Sequence, residues 1–124
     1  MNAEIDEFIG YEEIALEDGR VVQRRGDGAV RVANWKSGVI QEERPDGSLI
    51  ISLASGKYIF QEYRGEPLVV YDEGDAGSRS LARVGSITLP GFTQARHVIF
   101  FEDYQGAHII DLESLRYYKV TKPK

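Results

Sequence analysis

Apolar side chains recur at every second position through the middle of the chain: Leu49, Ile51 and Leu53, then Tyr58 and Phe60, then Val69 and Tyr71. A period of two belongs to strands, whose successive side chains point to opposite faces. Gly47, Gly56, Gly65 and Gly74 punctuate this stretch at nine-residue intervals. A seven-residue strand and a two-residue turn add to nine, and Asp46-Gly47 and Ser55-Gly56 carry the residues that type I′ turns favour. Two-residue turns at 46–47, 55–56 and 64–65 place Leu49, Ile51, Leu53, Tyr58, Phe60, Glu62, Pro67, Val69 and Tyr71 on one face. With Glu62 its only charge, that face is the expected core. The opposite face carries Ile50, Ile59, Tyr63, Leu68 and Val70 among polar residues and is too apolar for a solvated side. A second layer of strands, an N-terminal helix or another subunit is expected to cover it.

The flanks extend the pattern. Residues 2–9 form two turns of helix, with Asn2 as cap and Ile5, Phe8 and Ile9 on one face, stopped by Gly10. Asp18-Gly19 and Gly26-Asp27-Gly28 mark the first hairpins. The step from Gly28 to Gly38 is ten residues, not nine, so an irregularity is expected before Gly38, because one extra residue reverses every later side chain unless a bulge or longer loop absorbs it. Residues 72–80 read as a long loop. A hairpin around 103–106 sets His108 opposite Phe101, with His97, Ile99 and Ile110 on the same face. Asp111 caps a turn that leads into a last strand at 116–120. The whole is one all-β domain over 1–124: an antiparallel meander curling into a sandwich, roll or partly open barrel, with a short N-terminal helix over 1–10 and a frayed tail over 121–124.

Charge adds one feature. The chain is acidic, with a formal net charge of −5, which argues against nucleic-acid or membrane-surface partners. Seven acids and no base fall within residues 1–19, however, and five bases against one acid within 20–36. Pairing of the strands around Asp18-Gly19 sets the two blocks against each other. An alternative is that Arg24 and Arg25, with Trp35 close by, face an acidic partner. There is no cysteine, and the acidic start is the reverse of a signal peptide's, so a soluble cytoplasmic protein is expected.

Candidate chemistry is sparse. The two histidines lie too far apart along their ladder to chelate one ion together, so no metal and no cofactor is expected. Val84-Gly85-Ser86-Ile87 lacks the second glycine of a nucleophile elbow, and Ser55-Gly56-Lys57 lacks the frame of a phosphate loop. Trp35 is either a cover for the irregular turn or a ligand-stacking ring. With Tyr58, Phe60 and Glu62 it makes up a candidate pocket, in which Glu62 alternatively pairs with Arg44.

The Asp-Gly turn pattern of residues 18–74 resembles the glycine-punctuated single-sheet repeats of centriole-assembly scaffold proteins and tyrosine–aspartate repeat shells, and no activity is carried over from it. The leading expectation is a small acidic interaction protein, either partner-neutralising or an assembly accessory. Its candidate surface is Ile50, Ile59, Tyr63, Leu68, Val70, Trp35, Arg24 and Arg25. A self-assembling, homo-oligomeric β-protein is the alternative, and a ligand-binding or enzymatic barrel the third.

Overall fold

The computed structural model describes residues 12–72, 75–103 and 105–121, with the backbone alone at 75–79. The expected helix over 1–10 lies outside these residues, and among the described ones there is no helix. The strands are β1 (Glu12–Ala15), β2 (Arg20–Arg24), β3 (Val30–Asn34), β4 (Val39–Glu43), β5 (Leu49–Ser52), β6 (Tyr58–Gln61), β7 (Leu68–Asp72), β8 (Asp75–Ile87), β9 (Arg96–Asp103), β10 (Gly106–Asp111) and β11 (Tyr117–Thr121). Each pairs antiparallel with the next, in the order of the sequence. The meander curls into a half-barrel, and among the described residues β1 and β11 are its two edges.

The turns decide the faces. Arg44 and Ser48 close a three-residue loop, with the Arg44 N–H donating to Ser48 O and the Gly47 N–H to Arg44 O, both at 2.9 Å. The same frame recurs from Leu16 to Arg20, Arg25 to Ala29 and Leu53 to Lys57. In the first three of these four loops an aspartate precedes the glycine. Its carboxylate accepts the N–H two residues on: Arg20 from Asp18, Ala29 from Asp27 and Ser48 from Asp46. A type I′ turn needs positive φ at both central residues, yet only the glycines of these loops have it. Each loop is therefore a type I turn closed by a glycine bulge, one residue longer than the turns expected at 46–47 and 55–56.

That extra residue reverses strands relative to one another. Ile51 opposes Ile59, not Phe60, and Ile59 opposes Val70. Leu49, Ile51 and Leu53 do face the core, but their partners there are Ile59, Leu68 and Val70, while Tyr58, Phe60, Val69 and Tyr71 face outward. The register expected across 62–67 does form, with Tyr58 against Tyr71 and Phe60 against Val69. The irregularity before Gly38 is a four-residue loop, 35–38, between Asn34 and Val39. Residues 75–80, expected in a loop, extend β8, with a register shift at Tyr71/Asp72.

β8 is thirteen residues long and serves both layers: its first part pairs with β7, and Arg83–Ile87 pairs with β9. Strand twist of about 20° per step and this shared strand carry β9–β11 back over the inner face of β3–β7. The core lies between the layers, where Val39, Ile51, Ile59 and Val70 meet Phe101 and Ile110. Two hydrogen bonds tie loop 35–38 and its flank to the β10–β11 connection: Asn34 Nδ2 donates to Ser114 O at 2.9 Å, and Ser37 Oγ to Leu115 O at 2.7 Å.

Candidate interaction face

The outer face of the meander is apolar across five strands. Ile50 on β5 opposes Phe60, Phe60 opposes Val69 and Val69 opposes Leu81, so one row of four apolar side chains crosses β5 to β8 without interruption. A second row runs beside it through Ile40, Ser52, Tyr58 and Tyr71, where the two tyrosine rings stack at 5.2 Å. Leu81 is 63% exposed, and Ile40, Ile50, Phe60, Val69 and Tyr71 are half-buried. The C-terminal strands cover the inner face, so no described strand lies over the outer one.

A groove flanks each end of the row. One, of about 340 Å3, is lined by Arg31, Ile40, Glu42, Arg44, Ile50 and Ser52. There Glu42 accepts from Arg31 at 2.9 Å and from Arg44 at 3.0 Å. Burial pushes the Glu42 carboxyl up, but the two guanidiniums prevail and hold it below its usual value. The other groove, of about 310 Å3, is lined by Leu81, Arg83, Phe100, Phe101 and Glu102.

The structure separates the residues singled out in the sequence. Ile59 and Val70 are core, and Leu68 packs against the core, which removes all three from the surface. Ile50 stands on the outer face. Tyr63 and Trp35 are exposed, in the β6–β7 and β3–β4 loops. Arg24 is exposed at the end of β2, and Arg25 pairs with Asp27 at 2.6 Å. Of the four pocket candidates, Tyr58 and Phe60 share the outer face, Trp35 projects from a loop at one end of the strands, and Glu62 is exposed in the loop at the other end. Arg44 is bound to Glu42, not to Glu62. Sequence reasoning missed Val69, Tyr71 and Leu81 as surface residues. The signal was the Asp-Gly doublet in a nine-residue frame, which fits a three-residue turn as well as a two-residue one.

The other polar concentration is a chain on the inner face, buried at His108 and partly exposed at Asp72. Lys57 Nζ donates to Asp72 Oδ2 at 3.0 Å and reaches Asp103 Oδ2 at 3.3 Å. His108 Nε2 meets the same Asp103 oxygen at 2.9 Å, and its Nδ1 is bonded to the Tyr117 hydroxyl. The His108 ring is 2% exposed and stacks on Phe101 at 4.6 Å. Burial raises the Asp103 carboxyl, but His108, the Gln105 N–H and Lys57 outweigh it and bring it down to about 2. Burial opposes the charge on Lys57, whereas bonds to Asp72 and Asp103 raise its pKa. Burial, reinforced by the Asp103 charge, raises Tyr117, so its oxygen is a poor nucleophile. Every buried polar side-chain atom among the described residues has a partner. The chain is thus a satisfied network that fixes how the two layers meet.

His108 and Phe101 are opposite as expected, while His97 is exposed. Among the described residues no three His, Asp or Glu side chains stand together as a metal site, and no helix is long and apolar enough to cross a membrane. Comparison with protein-family models, with curated proteins and with solved structures found no match.

Proposed function

We propose that the protein is a binding module that docks another protein on the outer face of β4–β8. The observation that carries this reading is the row Ile50, Phe60, Val69 and Leu81, apolar and outward-facing in a sheet whose inner face is already sealed. Five strands at about 4.8 Å spacing and two rows of side chains make a patch on the order of 300 Å2, the size at which apolar patches mark interaction surfaces. The partner is one that presents an apolar patch of its own with mixed charge at the rim, because Arg44 and Glu42 lie beside one end of the row and Arg83 and Glu102 line the groove at the other.

A second reading, self-assembly, is favoured by β1 and β11, the two edges of the sheet among the described residues. Photo-crosslinking separates the two. A photoreactive residue at position 81 is expected to give an adduct with one particular protein, the same residue at 17 is expected to give none, and L81D should abolish copurification of that protein. Adducts with a second copy alone would replace the reading with self-assembly, and equal adducts from both positions would overturn the face.

A further inference from the structure

The β1–β2 turn, the β3–β4 loop and the start of β11 come together around a cleft of about 300 Å3. Asn34, Lys36, Ser37, Arg116 and Tyr118 line it, together with Asp18 and Tyr117. Asn34 and Arg116 are 82 positions apart in number, yet the walls are fastened to each other by the two hydrogen bonds from Asn34 and Ser37 to the β10–β11 connection. Asn34 also shapes the loop: its Oδ1 accepts the N–H groups of Lys36 at 3.1 Å and Ser37 at 3.2 Å.

Two features set this cleft apart from the grooves on the outer face. Arg20, Arg25, Arg31, Arg44, Lys57 and Arg96 all have carboxylate partners. Among the described residues Lys36 and Arg116 have none, as is also true of Arg24, Arg64, Arg83 and Lys119, but Lys36 and Arg116 are both exposed and line the same cleft. The acid in the lining, Asp18, is taken by Arg20 at 2.7 Å. Secondly, the residue before Arg116 is the one described non-glycine residue at positive φ: Leu115, at 60°. Its side chain is buried in the core, at 1% exposure, and the Asp111 carboxylate braces the turn before it by accepting from Ser114 Oγ at 2.8 Å and the Glu113 N–H at 3.1 Å. Backbone held in a sparsely populated region gathers at ligand sites, and here it aims Arg116 at the cleft.

We infer that the cleft binds the phosphoryl group of a small molecule. Two unpaired cations match a dianion, one as a point charge and one as a planar fork. Asn34 and Ser37 are committed to the loop, so the charge is met by Lys36 and Arg116, while Tyr118 offers a ring to the organic part of the ligand. A volume near 300 Å3 is at the small end for ligand sites and suits a compact phosphomonoester.

The test is titration of the full chain with phosphoserine, inorganic phosphate and serine at matched ionic strength, followed by backbone amide shifts. The expected result is a saturable response to phosphoserine and inorganic phosphate, confined to 34–37 and 116–118, and none to serine. R116Q and K36Q should each weaken binding about tenfold or more, the usual loss for one charge-assisted bond. R64Q, which removes an exposed arginine of the β6–β7 loop, should leave it unchanged. A linear response without saturation, shifts spread over the surface, or equal weakening by R64Q and R116Q would overturn the site.

Discussion

Replacing Gly38 by alanine tests the way the loops meet. Gly38 has φ +77°, and a Cβ built there lies 2.6 Å from the Ala54 Cβ and 3.4 Å from its Cα. Carbon atoms normally approach to about 3.5–4.0 Å, so about 1 Å must be found. Ala54 has no flexible side chain to swing away, and its backbone belongs to loop 54–56. Overpacking of this kind costs about 1–3 kcal/mol. The left-handed backbone adds about 1–2 kcal/mol for a residue with a Cβ, and the stiffer unfolded chain returns about 0.4–1 kcal/mol. The sum is about 2–4 kcal/mol. Gly28 supplies the reference, because it has φ +99° and nothing within 4 Å of the added Cβ, so G28A carries the backbone part alone, about 1 kcal/mol. The assay is urea unfolding of G38A, G28A, A54G and G38A/A54G, followed by circular dichroism. A54G should rescue about 1–2 kcal/mol in the G38A background, as a coupling energy between touching residues. Equal losses for G38A and G28A, or no coupling to A54G, would refute the contact that holds loop 35–38 beside loop 54–56.

The remaining predictions concern the buried bonds. Asp103 is held at about 2 against an ordinary 3.8, so its stabilisation is complete above about pH 4 and is lost as pH falls towards 2, for a total of about 2 kcal/mol. The difference in unfolding free energy between wild type and D103N should shrink by that amount over this window, and a constant difference would refute the bonding described. N34A removes the bond to Ser114 O and the two loop N–H bonds, leaving the part-buried Ser114 carbonyl without that donor. It should cost about 1–3 kcal/mol in the same assay, and S37A, which loses the 2.7 Å bond to Leu115 O, about 1 kcal/mol.

Much of the fold was legible because period two and turn residues are local signals. The apolar alternation gave strands, and the Phe101–His108 and Phe60–Val69 registers follow from loop lengths that the residues specify. The Asp111 turn was legible for the same reason, since its carboxylate bonds within three residues of itself. The assignment of faces was not, because Asp-Gly serves equally in a two-residue turn and in a three-residue loop with a bulge, and a single residue turned Phe60 and Val69 outward. Residues 75–80 look loop-like in composition, yet they are strand because β7 is there to pair with them. The cleft was illegible in principle: nothing local relates Lys36 to Arg116, and only the fold of β9–β11 across the sheet brings them together.

The central claim is that the outer row serves a partner and not the fold, and equilibrium unfolding of two variants tests it directly. Replacing Phe60, Val69 and Leu81 together by threonine puts side chains of high strand propensity in their place and should cost about 1 kcal/mol in the isolated chain. I59A, in the sealed core at 1% exposure, should cost about 3 kcal/mol or more. If the triple variant loses as much as I59A, the outer face is being covered within the monomer, and the docking account is wrong.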